Sequence, residues 1–419
     1  MPKTSNPQFH FTETAPTPLL KDFETFTRYL EQNAFALGKA TDYIPYKPLA
    51  ALNAAMTNPN TEGTSHTPQH FYPQLHLFYY LTLAGMLFRK AYRKNQIYLE
   101  ATERLAAYRA LSAAEKYFFL LETLWVDCPW KELANRPHAW ILISEVDRLV
   151  DALCNCKPGA PLFAKDNQAL FQRIHIFLPG TIIQSFSFFG WYEVEMDEAL
   201  YQQMGSKKFF PVARITPSAL GVTLAQILVR QRPLLEWNIP HLRSEGMLPA
   251  MKKSKAKASP DFAGLFRHLC AKGELRAALP REVPKTAKGN FVFKVSVAPK
   301  VWRTIALSSK HTLDDLHDAI QDAFEFDADH LYAFYMDNCW CSEERFESPH
   351  SDGPPADEVQ IGELGLTVNQ SFLYHFDFGD DWRFGVQLLE IKTDAPLLKK
   401  PKILEEYGEA PEQYPEAEW

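Results

Sequence analysis

The chain has 419 residues, of which 46% are hydrophobic and 23% are charged, and its net charge is −7. A chain of this length and composition buries a large core and divides into two or three domains. Its six cysteines are too sparse for a disulfide framework and indicate a reducing compartment. The first residues lack the apolar region of a secretory signal, and proline and histidine interrupt the longest charge-free stretches, which makes them poor membrane spans. We therefore expect a soluble, cytoplasmic protein.

The charge is distributed unevenly along the chain. Residues 1–300 hold 36 Lys and Arg against 25 Asp and Glu, a net of +11. Residues 301–419 hold 8 against 26, a net of −18. Such asymmetry is typical of a nucleic-acid-binding part joined to an acidic part, and equally of two domains whose surfaces pair with each other. Composition alone leaves both interpretations open.

The first 250 residues are predicted to be mainly helical, in two modules of residues 1–140 and 141–250. Ser112 and Glu115 have the spacing of a capping box. The apolar residues that follow, up to Trp125, recur at helical spacing, which predicts a helix with one face in the core.

Two segments of this region resemble each other. In the first, a helical run ends near Gly85, a basic stretch and the strand-like QIYL follow, and a helix begins near Thr102. In the second, a run ends near Gly190, and a polar stretch, the strand-like FPVARI and a helix after Thr216 follow. A winged helix-turn-helix has the same order of elements, which is a helix, a glycine, a hairpin and a capped closing helix. In such a module a helix fits the major groove and a basic wing lies along the phosphates.

The first hairpin is basic and the second is acidic. The candidate nucleic-acid-binding residues on the first hairpin are Arg89, Lys90, Tyr92, Arg93 and Lys94. Each cation there can release a condensed counterion from DNA. The second hairpin carries four acidic residues before Lys207 and Lys208, so it would repel phosphate and suits a structural or protein-binding module.

The composition changes after residue 250. The lysine-rich stretch Pro249–Pro260 predicts a solvated linker, and residues 251–287 are predicted to be a linker with a helical bridge at Phe262–Leu279. Residues 288–419 are predicted to form a compact α+β domain with a mostly antiparallel sheet. Within it, NFVFKVSV and VWRTIAL predict a hairpin, Thr312 caps a helix, and HLYAFYM predicts a further strand.

The stretch YHFDFGDDWRF predicts a second hairpin in this domain. Its aromatic residues from Phe372 to Phe378 should share one side of a strand, with His375 and Asp377 on the other side. Gly379, Asp380 and Asp381 have the chemistry of the turn, in which glycine tolerates a positive φ and aspartate caps local amides.

The same stretch supplies the candidate metal ligands, which are His375, Asp377, Asp380 and Asp381. A metal site needs a further ligand from elsewhere in the chain. The candidates for it are His330, His350, Cys339 and Cys341, whose spacing does not match a zinc motif. We interpret the stretch as a structural hairpin first and expect neither a bound metal nor another cofactor.

Four segments together, PKVWRTIAL, LDDLHDAIQDAFEF, DHLYAFYM and YHFDFGDDWRF, resemble the plasmid pRiA4b ORF-3-like family over about residues 288–416. The positions that match the family motifs are Trp302, Arg303, His317, Gln321, His330, Tyr374, Asp377, Gly379, Asp380 and Trp382. The resemblance implies a compact α+β domain of plasmid or mobile-element context, with no securely attached biochemical activity. We expect Trp302 and Leu316 in the core, and an ion-pair network of Arg303, Asp377 and Asp380 that fixes the hairpin.

Taken together, the sequence predicts a non-enzymatic binding protein associated with mobile elements or defence. Its basic part would bind DNA or a partner protein, its acidic domain would bind protein, and no membrane is involved. One alternative is a metal-dependent hydrolase or nuclease that uses Asp377, Asp380 and Asp381. Another is a structural subunit of a larger assembly.

Overall fold

A computed structural model describes residues 8–38, 41–61, 63–64, 66–93, 96–135, 139–204, 210–234, 262–279, 287–336, 338, 340, 345–351, 353–366 and 368–414. The predicted linker Pro249–Pro260 lies outside these residues, as do Lys94, Lys207, Lys208, Cys339 and Cys341. The chain divides into two compact units. The first comprises residues 1–90, 97–245 and 255–280, and the second comprises residues 91–96, 246–254 and 281–419. None of the helices within the described ranges has the length and apolar character needed to cross a bilayer.

The first unit is mainly helical, as predicted. Its α-helices are α1 Leu19–Gln32, α2 Tyr46–Ala55, α3 Pro73–Ala84, α4 Glu103–Arg109, α5 Ala113–Glu122, α6 Trp130–Ala134, α7 Ala139–Cys154, α8 Gln168–Phe177, α9 Gly180–Phe188, α10 Glu198–Met204 and α11 Ala219–Gln231. The strands of this part of the chain are β1 Phe88–Arg93, β2 Gln96–Ala101, β3 Leu162–Phe163, β4 Tyr192–Met196 and β5 Val212–Pro217. Residues 91–96, at the tip of the β1–β2 hairpin, are grouped with the second unit.

The capping box predicted at the start of α5 is present. The Ser112 hydroxyl accepts a hydrogen bond from the Glu115 amide, and the Glu115 carboxylate accepts one from the Ser112 amide. The helix continues as one π-helical turn, Thr123–Asp127. The apolar residues of this run are buried, which confirms the predicted core-facing helix.

The two similar segments fold in parallel ways. In the first, α2 and α3 precede the β1–β2 hairpin, and Ala36 pairs with Tyr98 of β2 on the edge away from β1. In the second, α8 and α9 precede the β4–β5 hairpin, and β3 pairs with β5 in the sheet order β3-β5-β4. Thr102 caps α4 as predicted, whereas the cap of α11 is Ser218. The polar stretch of the second hairpin also contains the short helix α10, which the sequence did not suggest.

The helical bridge predicted at Phe262–Leu279 is shorter than expected. Only Ala263–Leu269 is helical, and it is a 3-10 helix. It packs on the first unit, where Phe266 stacks on Phe118 with ring centroids 4.7 Å apart. Aromatic packing therefore holds this segment.

The second unit is the predicted α+β domain. Its α-helix is α12 Leu313–Phe324, and its strands are β6 Asn290–Ala298, β7 Val301–Ser308, β8 Tyr332–Tyr335, β9 Arg345–Glu347, β10 Ser371–Phe376, β11 Trp382–Lys392 and β12 Lys402–Tyr407. The strands form one antiparallel sheet in the order β12-β7-β6-β11-β10-β8-β9. Alternate residues of the strands point to α12 and form the core, as the period-2 patterns predicted.

Candidate functional site

The hairpin between β10 and β11 is present, but its turn is longer than predicted. Strand β10 ends at Phe376, so Asp377 and Phe378 belong to the turn, and Phe378 is 48% exposed instead of sharing the core face. The left-handed backbone positions are Asp377 (φ 49°) and Asp381 (φ 58°). Gly379 does not have a positive φ, contrary to expectation. A Cβ at Gly379 would lie 3.2 Å from the Asp377 carboxylate oxygen, a tight contact that a small shift of this side chain would relieve.

Asp377 is the residue that shapes this turn. Its side chain is buried, and its Oδ1 accepts hydrogen bonds from the amides of Gly379 (2.9 Å) and Asp380 (3.3 Å). Its Oδ2 lies 3.4 Å from Nε2 of His330. Its carboxylate thus satisfies backbone donors, as aspartate does in an Asx turn.

Asp381 contacts two other side chains of the hairpin. Its Oδ1 lies 2.9 Å from His375 Nε2 and 2.7 Å from Arg383 Nε. The hydrogen bond from Arg383 lowers the pKa of the Asp381 carboxyl. Burial lowers the pKa of His375, partly opposed by Asp381. The ring of His375 also packs edge-on against Trp340 and Phe378.

The Asp377→Ala variant should lose about 1–2 kcal/mol of folding free energy, because two turn amides lose their acceptor. Asp380→Ala is the matched control in the same turn. The Asp380 side chain is exposed, and among the described residues only its backbone amide takes part in the turn, so loss of the carboxylate should cost less than about 0.5 kcal/mol. Thermal unfolding of the full chain measures both. Equal losses would contradict the capping role, and a metal-induced stabilisation that both variants abolish would favour the hydrolase alternative.

Within the described residues, no group of three or more His, Cys, Asp or Glu side chains is arranged to hold a metal ion. The candidate ligands separate into the pairs Asp377–His330 and Asp381–His375. His350 lies in the loop after β9.

A buried polar network joins α12 to β10. The hydroxyl of Tyr374 lies 2.6 Å from His317 Nδ1 and accepts a hydrogen bond from Gln321 Nε2 at 2.7 Å. The direction of the hydrogen bond between the hydroxyl and His317 Nδ1 depends on the histidine tautomer. The His317 ring stacks on Tyr332 with centroids 3.9 Å apart, and burial lowers the pKa of His317 to about 4. His317 is therefore neutral at pH 7.

The sequence placed these three residues in the family motifs without a shared role. Helical spacing puts His317 and Gln321 one turn apart on α12, a signal that would have indicated a common partner. Nothing in the sequence identified Tyr374 as that partner.

Arg303 does not form the predicted ion-pair network with Asp377 and Asp380. It is buried, and its guanidinium donates hydrogen bonds to the carbonyls of Ala323, Trp302, Tyr407 and Gly408 at 2.8 to 3.3 Å. The prediction was wrong because Arg303 faces the C-terminal end of α12, where a helix leaves carbonyl groups unpaired.

The two family tryptophans are both half-buried and differ in their packing partners. Trp302 is half-buried on the sheet face opposite α12, where it stacks on Tyr407 at 5.5 Å, so its predicted place in the core was wrong. Leu316 is in the core, as predicted. Trp382 packs edge-on against Phe326 at 4.8 Å, beside the hairpin turn.

The basic residues of the first hairpin lie on β1, Phe88–Arg93. Arg89 is exposed and lies 3.3 Å from Glu100 of β2. Lys90 is half-buried and lies 2.8 Å from Asp42. Arg93 is exposed. Lys94 and the side chain of Tyr92 lie outside the part of the chain that the structure describes.

Helix α3, which precedes this hairpin, is buried. Every residue from Leu75 to Thr82 has little exposed surface, and the helix packs against α9, its counterpart in the second segment. A helix that is apolar on all sides is typical of a central core position.

The comparisons with known proteins concern the second unit. Residues 291–414 match the family described as plasmid pRiA4b ORF-3-like protein, which confirms the resemblance found in the sequence. No curated protein matches the chain. A crystal structure of a protein of unknown function from Methanosarcina mazei is similar at 24% identity, over 29% of this chain and 71% of that one, with a TM-score of 0.26.

Proposed function

We propose that this protein is a non-enzymatic binding protein of mobile-element or defence context, with tandem winged-helix modules that contact phosphate backbones without reading sequence. Its family-matched domain, residues 291–414, provides the link to plasmid-borne proteins. The observation that carries the proposal is the basic hairpin, with Arg89 and Arg93 exposed, next to helix α3, which is buried from Leu75 to Thr82.

The element order supports the winged-helix assignment. Each segment has two helices before a hairpin, and a third strand or bridge pairs with the second hairpin strand. In such modules, sequence is read by the helix that precedes the hairpin. Here those helices are α3 and α9, and they pack against each other, which favours phosphate contact over base contact.

The charges of the first hairpin support weak binding. Arg89 and Lys90 already face the carboxylates of Glu100 and Asp42, so phosphate has to compete with them. Exposed ion pairs contribute about 0–1 kcal/mol each, a small barrier to exchange for a phosphate.

The acidic second unit suits a basic protein partner. Helix α12 carries Asp314, Asp315, Asp318 and Asp322, and burial together with these neighbours raises the pKa of Asp318. Such a surface attracts a cationic partner at long range and repels nucleic acid.

The carboxylates proposed for the alternative hydrolase site have structural partners, which favours a binding role over catalysis. Asp377 is engaged with turn amides, and Asp381 with His375 and Arg383.

DNA affinity measured by fluorescence anisotropy at several salt concentrations tests this proposal. The full chain should bind two duplexes of unrelated sequence equally, and its affinity should fall as salt rises. The double variant Arg89→Glu with Arg93→Glu should lower the affinity about tenfold or more, because repulsion replaces phosphate contact. Lys90 is left in place, since a glutamate there would face Asp42.

The matched control is Arg214→Glu on the second hairpin. Arg214 lies 2.6 Å from Glu195 across β4 and β5, a surface pair like Arg89 and Glu100, and its loss should leave DNA affinity unchanged. If the full chain shows no affinity at about 50 mM salt, or if both variants weaken it equally, the assignment to the first hairpin is wrong.

A further inference from the structure

We propose that the first unit contains a binding site for an uncharged nucleobase or nucleoside, in a cavity between helix α9 and the loop that precedes α3. The cavity has a volume of about 690 Å³ and is lined by residues of both winged-helix-like segments. Ligand sites in proteins commonly have volumes of about 300–1,000 Å³. The inference is independent of the proposed DNA contact, since no described residue of the basic hairpin lines this cavity.

One wall is the loop between α2 and α3, which its own hydrogen bonds hold in shape. Asn53 Nδ2 donates to the Asn60 carbonyl, and the Asn60 amide donates to Asn53 Oδ1, both at 2.9 Å. The Asn60 side chain also donates to the Phe71 carbonyl at 2.9 Å. Asn60 and Phe71 both line the cavity, so this wall is formed without a ligand, as is usual for small-molecule sites.

The opposite wall includes Gln184 and Phe188, which lie one turn apart on α9. Gln184 is half-buried, and its carboxamide makes no hydrogen bond to any described residue. Polar side chains away from the surface are normally hydrogen-bonded, so the partner of this carboxamide has to be water or a ligand within the cavity. This unengaged carboxamide is the observation that carries the proposal.

Two further carboxamides lie on the same cavity. Asn58 belongs to the loop before α3, and Asn135 ends α6 in a left-handed conformation (φ 50°). Both are exposed, and neither side chain bonds to a residue that the structure describes. Each carboxamide offers two donor hydrogens and one acceptor oxygen. Three separate elements therefore supply groups that complement a ligand edge carrying both donors and acceptors.

The remaining lining residues indicate a flat, uncharged ligand. Those that the structure describes include no Asp, Glu, Lys or Arg, so they offer an ion no charged partner. They do include the rings of Phe71, Phe188, Tyr201 and Phe210, and aromatic side chains stack on nucleobases with about 1–3 kcal/mol per base. Asn and Gln pair with the 6-amino group and N7 of adenine, whereas guanine usually takes Arg or Lys. Adenine, as a base or a nucleoside, meets these conditions.

Isothermal titration calorimetry of the full chain with adenosine, purine riboside and adenosine 5′-monophosphate tests the site. Adenosine should bind at one site. Purine riboside, which lacks only the 6-amino group, should bind about tenfold more weakly, because a carboxamide loses its partner. The monophosphate should bind no more tightly than adenosine, because the described lining offers its phosphate no cation. Saturating adenosine should also slow hydrogen exchange in peptides that contain residues 58–61 and 180–184.

The variant Gln184→Met keeps the length of the side chain and removes its hydrogen-bonding groups. It should weaken adenosine binding about tenfold. Gln172→Met is the matched control, because Gln172 is an exposed residue of α8 outside the cavity, and it should leave the affinity unchanged. Equal affinities of the two variants for adenosine would contradict the role of Gln184 and with it the proposal.

Four further outcomes would overturn the proposal. Adenosine shows no binding at concentrations up to about 5 mM. Purine riboside binds as tightly as adenosine, which would make the cavity an apolar stacking site that does not recognise the base edge. The monophosphate binds about tenfold more tightly than adenosine, which would make the cavity an anion site. Adenosine binds without slowing exchange at residues 58–61 and 180–184, which would place it elsewhere. The exchange measurement uses the unaltered chain, so it decides the matter even if Gln184→Met fails to fold.

Discussion

Replacement of Arg303 by methionine is expected to destabilise the second unit by about 3 kcal/mol. The methionine keeps the aliphatic packing over Phe324, where the guanidinium now lies 4.8 Å from the ring centroid. It leaves the carbonyls of Ala323, Tyr407 and Gly408 without their donor. Ala323 is buried, and a buried unsatisfied carbonyl costs about 1–3 kcal/mol, whereas Tyr407 and Gly408 are exposed, so their carbonyls lose less. The cost is partly offset because a buried cation is removed.

Scanning calorimetry of the full chain should show one transition lowered by about 10 °C. In this variant the rate of hydrogen exchange should rise most in α12 and β12, the two elements that Arg303 joins. The control is Arg383→Met on the same sheet, an arginine that is half exposed and bonded to Asp381. A surface pair of this kind contributes less than about 1 kcal/mol. Equal shifts for the two variants would show that Arg303 does not hold these elements together.

Acidification should destabilise the second unit by about 3 kcal/mol between pH 6.5 and about 4, through His317. Burial lowers the pKa of folded His317 to about 4, from the 6.5 that is ordinary for histidine. Between these two pH values, the unfolded chain therefore carries a proton on His317 and the folded chain does not. The stabilisation is complete above pH 6.5 and is lost as the pH falls towards 4.

The surroundings of His317 explain why its pKa is lowered. Its ring is buried and stacked on Tyr332, so the positive charge of a protonated ring would lose its hydration there. The stacked ring of Tyr332 is itself tied to Asp314 by a hydrogen bond. His317→Gln should flatten the pH dependence of the transition that Arg303→Met lowers, measured by calorimetry at pH 7, 6 and 5.

The control for this prediction is His76→Gln in the first unit. His76 is also buried, with its pKa lowered to about 3, and its Nδ1 lies 3.2 Å from Gln69 Nε2. Its replacement should flatten the pH dependence of the other transition only. An unchanged pH slope after His317→Gln would rule out His317 as the source of the acid sensitivity.

Several features of this protein were predictable from local sequence. The capping boxes at Ser112 and Thr312 depend on residues three positions apart, and both are present. The strands β6, β7 and β10 followed from alternation, because a buried sheet face needs apolar residues at every second position. The family of residues 291–414 followed from four motifs read together.

The tertiary structure decided what the polar and charged residues do. Arg303 and Ala323 are twenty positions apart, and His317 and Tyr374 are fifty-seven apart, so no local pattern could pair them. The burial of α3 against α9 likewise depends on how two segments pack. The sequence by itself determined most of the helices and strands, since short-range periodicity and capping govern them, although not α10 or the length of the bridge helix. Packing determined which candidate residues hold the fold and which remain exposed, because hydrogen bonds and burial join residues distant in the chain.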